Sequence, residues 1–184
     1  MALWPYRFEA ALARLRAWSW RLRGLDAGRA AAIHAGVQLR FGRGAARLGA
    51  RSVLYRGVRL LATAGGRFSI GHDSHLAPDA YALIAGQSLT IGNDAAIGPG
   101  LMVFCESNDT GADSLFRLQY RRGPVSIGHN VFIGARVTLL PGAVIEDHVV
   151  VAAHSVVAGR LASGWLYGGA PARPLKPIGP GARA

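Results

Sequence analysis

The chain has 184 residues, of which 51% are hydrophobic and 17% charged, and a formal net charge of +11. That length suits one domain with a substantial core, and that apolar content excludes an intrinsically disordered chain. Cys105 is the sole cysteine, which excludes an intrachain disulfide, and no apolar run reaches the roughly 18 residues of a membrane span.

The charge is unevenly placed. Residues 1–67 contain 13 Arg against Glu9 and Asp26, a balance of +11, while residues 68–184 contain 8 Lys or Arg against 8 Asp or Glu, a balance of zero. A basic first third joined to a neutral body points to an anionic surface met by one end of the molecule. The first segment does not read as a secretory signal, because Arg7, Arg14 and Arg16 interrupt its apolar residues, and a cytoplasmic setting is expected.

Residues 1–32 are expected to form a basic amphipathic helical segment. Over 4–23, Trp4, Phe8, Leu12, Leu15, Trp18 and Leu22 share one helical face. Arg7, Arg14 and Arg21 flank it on one side, Arg16 and Arg23 on the other. Such a face suits peripheral contact with the inner face of a membrane, and it equally suits packing on protein. Nucleic acid is not expected, since no recognition motif accompanies the arginines.

Residues 33–178 carry a different rhythm. From 127 onward the apolar residues Ile127, Ile133, Leu139, Ile145, Val151 and Val157 recur at every sixth position. Six residues turn a helix by 600°, so a helix would spread this set over three directions, whereas an extended chain keeps it on one side. A flat strand of that length is far beyond the usual five or six residues, so the chain must bend regularly. Gly128, Gly134, Ala152 and Ala158 follow the leaders, and glycine accepts positive φ at such corners. Three six-residue sides make one triangular coil, and stacked coils give parallel sheets with the leaders inside. Upstream, Ile70, Leu76, Ile91, Ile97 and Val103 continue the series with three extra residues between 82 and 91. Residues 33–67 read as degenerate first coils, with Leu39, Phe41, Leu48, Val53 and Val58 as candidate core. Between Val103 and Ile127 about 18 residues are inserted and the phase is kept, so an excursion loop at about 104–124 leaves a corner of the prism. Residues 179–184 form a C-terminal tail.

The run "GPVSIGHNVFIGARVTLLPGAVIEDHVVVAAHSVVAG" and the closing "YGGAPARPLKPI" resemble the hexapeptide-repeat acyltransferases, in the branch of maltose, galactoside and exopolysaccharide O-acetyltransferases. The resemblance covers about residues 68–178. It implies an all-β fold, a left-handed parallel β-helix of hexapeptide repeats with the helix added at its N-terminus. It also implies a homotrimer, acetyl-CoA as acyl donor in a groove between prisms, and a hydroxyl of a sugar or exopolysaccharide intermediate as acceptor. In the family the backbone at positions matching Ala135 and Ala153 lines the pantetheine channel. The closing signature carries Gly169 and Ala170, Arg173 takes the place of a basic residue near the CoA 3′-phosphate, and Arg160 assists.

The family's catalytic base is a histidine in the excursion, and its position is held here by Asn108; a substrate-side asparagine of the family falls on Ala77. A carboxamide accepts no proton at neutral pH. Three readings stay open. The base has moved to Asp109, Glu106 or Asp113 in the loop, or to His75 or His72 on a nearby coil. Alternatively, Asn108 orients the acceptor or oxyanion and water takes the proton. The last reading is a non-catalytic binding or scaffold protein of glycan biosynthesis. Cys105 has no histidine or cation beside it in sequence and reads as a small buried side chain. Arg117, Arg121 and Arg122 are candidate anion contacts. His129 and His148 fall at corners and His154 near the CoA groove. Ala135 stands one side after His129, so the spacing of the related carbonic anhydrase metal site fails and no metal is expected.

Overall fold

The computed structural model describes residues 4–63, 65–111 and 114–179, with side chains described from Glu9 onward. Asp113, the side chains of Trp4 and Phe8, and the tail after Gly179 lie outside the described residues. Helix α1 spans Trp4–Leu22 and ends where Gly24 takes a φ of 95°. From Leu25 on, the chain winds as a left-handed parallel β-helix. The solenoid thus starts at Leu25–Ala27, which pairs with Ala46–Leu48, ahead of the residue-33 boundary expected from sequence.

Three parallel sheets form the walls. The first runs from Leu25–Ala27 through Ser88–Ile91 and Val125–Ile127 to Arg160–Leu161. The second runs from Ala32–Ile33 through His75–Leu76 and Phe132–Ile133 to Trp165–Gly168, where Arg173–Pro177 adds an antiparallel strand. The third runs from Gln38–Arg40 through Tyr81–Ala85 and Met102–Phe104 to Val156–Val157.

The leaders line the inside. Leu48, Leu54, Leu60, Ile70, Leu76, Ala82, Ile91, Ile97 and Val103, then Ile127 through Val157 at sixfold steps, are all 2% exposed or less. A fully buried Leu or Ile contributes about 1.5–3 kcal/mol, and ordering a residue costs about 1–2 kcal/mol. Three leaders cannot order a coil of about eighteen residues alone, so stability comes from stacking.

The apparent degeneracy of the early coils has one cause. The steps Leu39 to Leu48, Leu60 to Ile70 and Ala82 to Ile91 are nine, ten and nine residues, and each lies at the return from the third sheet to the first. The excursion after Val103 lies at that same corner. Ile91 pairs with both Ile70 and Ile127, so the wall is continuous across it. Within these coils the leader is Leu54, fully buried, and Val53 faces outward, a correction to the expected core.

The glycines after the leaders serve a purpose other than the expected positive φ. Gly128 and Gly134 are not left-handed. A Cβ on Gly134 would lie 2.5 Å from the Ala153 backbone nitrogen, and one on Gly128 would lie 2.7 Å from that of Asp147, so coil-to-coil approach excludes a side chain. The left-handed residues sit two positions later, at Asp73, Asp94, Asn130, Arg136, His148 and His154.

Helix α1 packs across the first coil through its small residues. Ala13 and Ala17 are buried, Trp20 meets Phe41 with ring centroids 6.0 Å apart, and the Arg21 Nε donates to the Ala27 carbonyl at 2.8 Å. Glu9 accepts from Arg16 at 3.0 Å and lies 3.6 Å from His34. The large apolar stripe faces the other way: Leu15, Trp18 and Leu22 are 60%, 55% and 70% exposed.

Candidate functional site

The excursion is a two-stranded arm. Glu106–Asn108 and Tyr120–Arg122 pair antiparallel, with Asn108 opposite Tyr120. Its neck is pinned to the prism, because the Cys105 N–H donates to the Leu83 carbonyl at 2.9 Å and the Gly123 N–H donates to the Cys105 carbonyl at 3.0 Å. Cys105 is fully buried and burial pushes its thiol up to about 11, so it is no nucleophile at neutral pH.

The Asn108 side chain ties the arm's turn. Its Nδ2 donates to the Phe116 carbonyl at 2.8 Å and, more weakly, to that of Gln119 at 3.5 Å. Two carbonyl partners fix the amide orientation, which leaves Oδ1 as the group's acceptor. Asp109 continues the tie, its N–H donating to the Gln119 carbonyl at 3.0 Å and its carboxylate accepting from Gly111 N–H at 3.0 Å. Glu106 is engaged in an ion pair with Arg122.

Between the arm and the third-to-first corner lies a cavity of about 180 Å³, lined by Ser107, Asn108, Asp109, Thr110 and Arg121 on the arm and by Leu140, Pro141 and Ala158 on the prism. Asp109 is its one lining carboxylate among the described residues. His72 and His75 are not in this lining. His75 stands on the second sheet, edge-on to Tyr55 with centroids 5.9 Å apart, and burial pushes its imidazole below the usual histidine range. Ala77, near it in that wall, is buried.

The expected acyl-donor residues fall at a different corner. Ala135, Ala153 and Gly169 stack on consecutive coils where the second sheet turns into the third: the His154 N–H donates to the Ala135 carbonyl and the Val156 N–H to the Gly169 carbonyl, both at 2.9 Å. Ala153, Gly169 and Ala170 are exposed, and Arg173 opens the antiparallel strand just beyond, opposite Gly168. Small residues on successive coils leave a track free of side chains, which suits a slender chain such as pantetheine. Arg160 lies elsewhere, on the first sheet. It donates to Glu146 at 2.6 Å, and the Ser163 N–H with this guanidinium holds the Glu146 carboxyl below its usual range. Both line a broad open hollow of about 560 Å³ with Thr90, Ser126 and His129, away from the arm.

Sequence reading missed a ladder at the first-to-second corner. The His72 N–H donates to Asn93 Oδ1 at 2.9 Å, the Asn93 N–H to His129 Nδ1 at 3.0 Å, and the His129 N–H to Asp147 Oδ1 at 2.7 Å. The Asn93, His129 and Asp147 side chains therefore stitch coils together; six-residue periodicity carried no sign of that, because each rung joins positions on successive coils. His72, Asp73 and Asp94 converge there within 4.8 Å. Asp73 is already clasped by Arg51, with Nε to Oδ1 at 2.6 Å, and that contact together with His72 brings its carboxyl down to about 2. His148 hydrogen-bonds Asn130 at 3.0 Å, and Arg117 is exposed on the arm.

Fold and site define a class: a left-handed β-helix of hexapeptide coils with one polar arm at a corner. Residues 124–159 match the family described as "Bacterial transferase hexapeptide (six repeats)". It is 27% identical over 116 residues to the galactoside O-acetyltransferase of Escherichia coli (strain K12), covering 60% of this chain and 57% of that one. It is 32% identical over 130 residues to WbbJ of the same organism, a protein named for O-acetyl transfer in lipopolysaccharide biosynthesis, covering 65% and 66%. The chain thus spans less than two thirds of these curated relatives. A crystal structure of a variant of AntD, an N-acyltransferase from Bacillus cereus, in complex with dTDP-4-amino-4,6-dideoxyglucose and coenzyme A, superposes with a TM-score of 0.80 over 89% of this chain and 90% of that one. At 21% identity that likeness shows the fold. Among the described residues no helix is long and apolar enough to cross a membrane.

Proposed function

We propose that this protein is a CoA-dependent O-acyltransferase that moves an acetyl group onto a hydroxyl of a sugar or glycan intermediate and works as a homotrimer. The observation that carries the reading is the separation of two half-sites on one prism. The small-residue track of Ala135, Ala153 and Gly169 runs along one corner, and the arm with Asn108 and Asp109 overhangs another. Packing prisms side by side in a closed ring brings the arm of one against the track of the next. The relatives named for O-acetyl transfer support the donor and the acceptor class.

The chemistry then follows. The acceptor oxygen attacks the thioester carbonyl and gives up its proton. The tetrahedral intermediate collapses, the C–S bond breaks, and the CoA thiolate takes a proton as it leaves. Asp109 is the group that receives the acceptor's proton, and Asn108 is a positioning residue that holds the arm's turn. His75, on a different wall, would be supplied only by a neighbouring subunit.

A second reading concerns the acceptor atom. AntD, which shares the fold, is an N-acyltransferase crystallised with an amino sugar nucleotide. A neutral amine attacks a thioester without prior deprotonation, so an amino sugar acceptor fits a site whose base position holds an asparagine.

The test is transfer from radiolabelled acetyl-CoA to a panel of nucleotide-linked sugars and amino sugars, followed by mild alkali. An ester label lost in alkali supports O-transfer, and an alkali-stable amide supports the second reading. No transfer and no acetyl-CoA binding contradict both and leave the binding or scaffold role. Asp109→Asn is expected to lower O-transfer roughly 10²–10⁴-fold. Mixed trimers of Asp109→Asn and Ala153→Trp chains should regain up to about a quarter of wild-type activity, the share of interfaces pairing an intact arm with an intact track.

A further inference from the structure

We propose that the outward face of helix α1 docks the protein on an anionic lipid bilayer. The reading stands apart from the acyl-transfer proposal and uses different residues.

Ala13 and Ala17, which bury the helix against the first coil, lie about 180° around the helix from Leu15 and Leu22. The prism therefore holds the helix by its small face and turns the large apolar face outward. Leu15, Trp18 and Leu22 are each more than half exposed there. Trp and Leu edged by arginine is the composition that settles at the headgroup boundary, with tryptophan's apolar body and polar N–H both accommodated.

Charge selects the occupant. Exposed Arg14 edges the stripe on one side and exposed Arg23, just past the helix end, on the other, while Arg21 and Arg16 at the same flanks are held by the Ala27 carbonyl and by Glu9. The first coils add exposed Arg29, Arg40 and Arg43 at the same end. A second copy set face to face on the same stripe would bring arginine to arginine, a like-charge juxtaposition that disfavours that contact. An anionic headgroup layer satisfies the arginines while the acyl region takes Leu15, Trp18 and Leu22. Nucleic acid would satisfy the charge and leave the apolar stripe in water.

The test is co-sedimentation of the full-length protein with vesicles of phosphatidylcholine alone and of phosphatidylcholine with phosphatidylserine. Binding is expected with the anionic vesicles only, and weaker as salt rises. The variant with Leu15→Ser, Trp18→Ser and Leu22→Ser, all at exposed positions, is expected to lose roughly tenfold or more in partitioning. Its melting temperature and sedimentation coefficient should match the wild type. Trp18 fluorescence should shift to the blue on anionic vesicles in the parent protein. Equal sedimentation of parent and variant overturns the proposal. So does a change of oligomeric state in the variant, which would assign the face to contact between subunits. Binding to single-stranded oligonucleotide that persists in the variant, with no vesicle binding by the parent, would assign the charge to nucleic acid and also overturn it.

Discussion

The Asn108 side chain donates to the Phe116 carbonyl at 2.8 Å across the turn of the arm. This side chain is thus committed to holding loop shape. A typical hydrogen bond contributes about 0.5–1.5 kcal/mol, so Asn108→Ala should loosen the closed turn by about that much. Hydrogen exchange at the Asp109 amide, which donates to Gln119, should speed up roughly fivefold while the prism's protection stays as it was. Unchanged exchange at Asp109 would show that the turn is held by other means.

Two glycines separate two kinds of constraint. Gly134→Ala puts a methyl 2.5 Å from the next coil's backbone and should cost about 1–3 kcal/mol in urea unfolding. Gly142 has open space around its Cβ position and a φ of 83°. Gly142→Ala should cost about 1–2 kcal/mol from the left-handed backbone alone, and Gly142→Asn less, because asparagine tolerates that region. Asparagine should give no relief at position 134. Equal behaviour at the two sites would contradict the distinction.

The inward register of the early coils is tested by neighbours. Leu54 is fully buried and Val53 faces out. Leu54→Ala should cost about 2–5 kcal/mol and Val53→Ala well under half of that. The reverse order would move the register by one residue and turn each strand inside out.

The sequence made the later coils legible because their leaders keep a strict step of six from Ile127 to Val157. It blurred the earlier ones because three or four extra residues enter at one corner, a pattern visible only once the sheets are laid out. The helix was legible as amphipathic, but its buried side was not: Ala13 and Ala17 carry little hydropathic signal beside Trp18 and Leu22. The arm's position could be read directly from the break in the six-residue step. That Glu106 is spent on Arg122, that Arg160 faces a different wall from Ala153, and that His129 accepts from a backbone N–H depend on contacts between coils, which no local pattern encodes.

Acid should weaken the fold through His75. Burial depresses its folded pKa below the unfolded value near 6.5. Its contribution is therefore fully present above about pH 6.5 and is lost as pH falls through the depressed folded value. The melting temperature should drop between pH 7.5 and 5, and His75→Phe should drop less over the same window. An identical drop in the variant would place the acid sensitivity in other groups.

The measurement closest to the central claim is a calorimetric titration of the full-length protein with acetyl-CoA, repeated on Ala153→Trp. A tryptophan at this exposed corner position fills the track without entering the core. The account predicts saturable binding of about one acetyl-CoA per chain, lost in Ala153→Trp at unchanged melting temperature. Absence of saturable heat in the parent protein, or full binding by the variant, would contradict it.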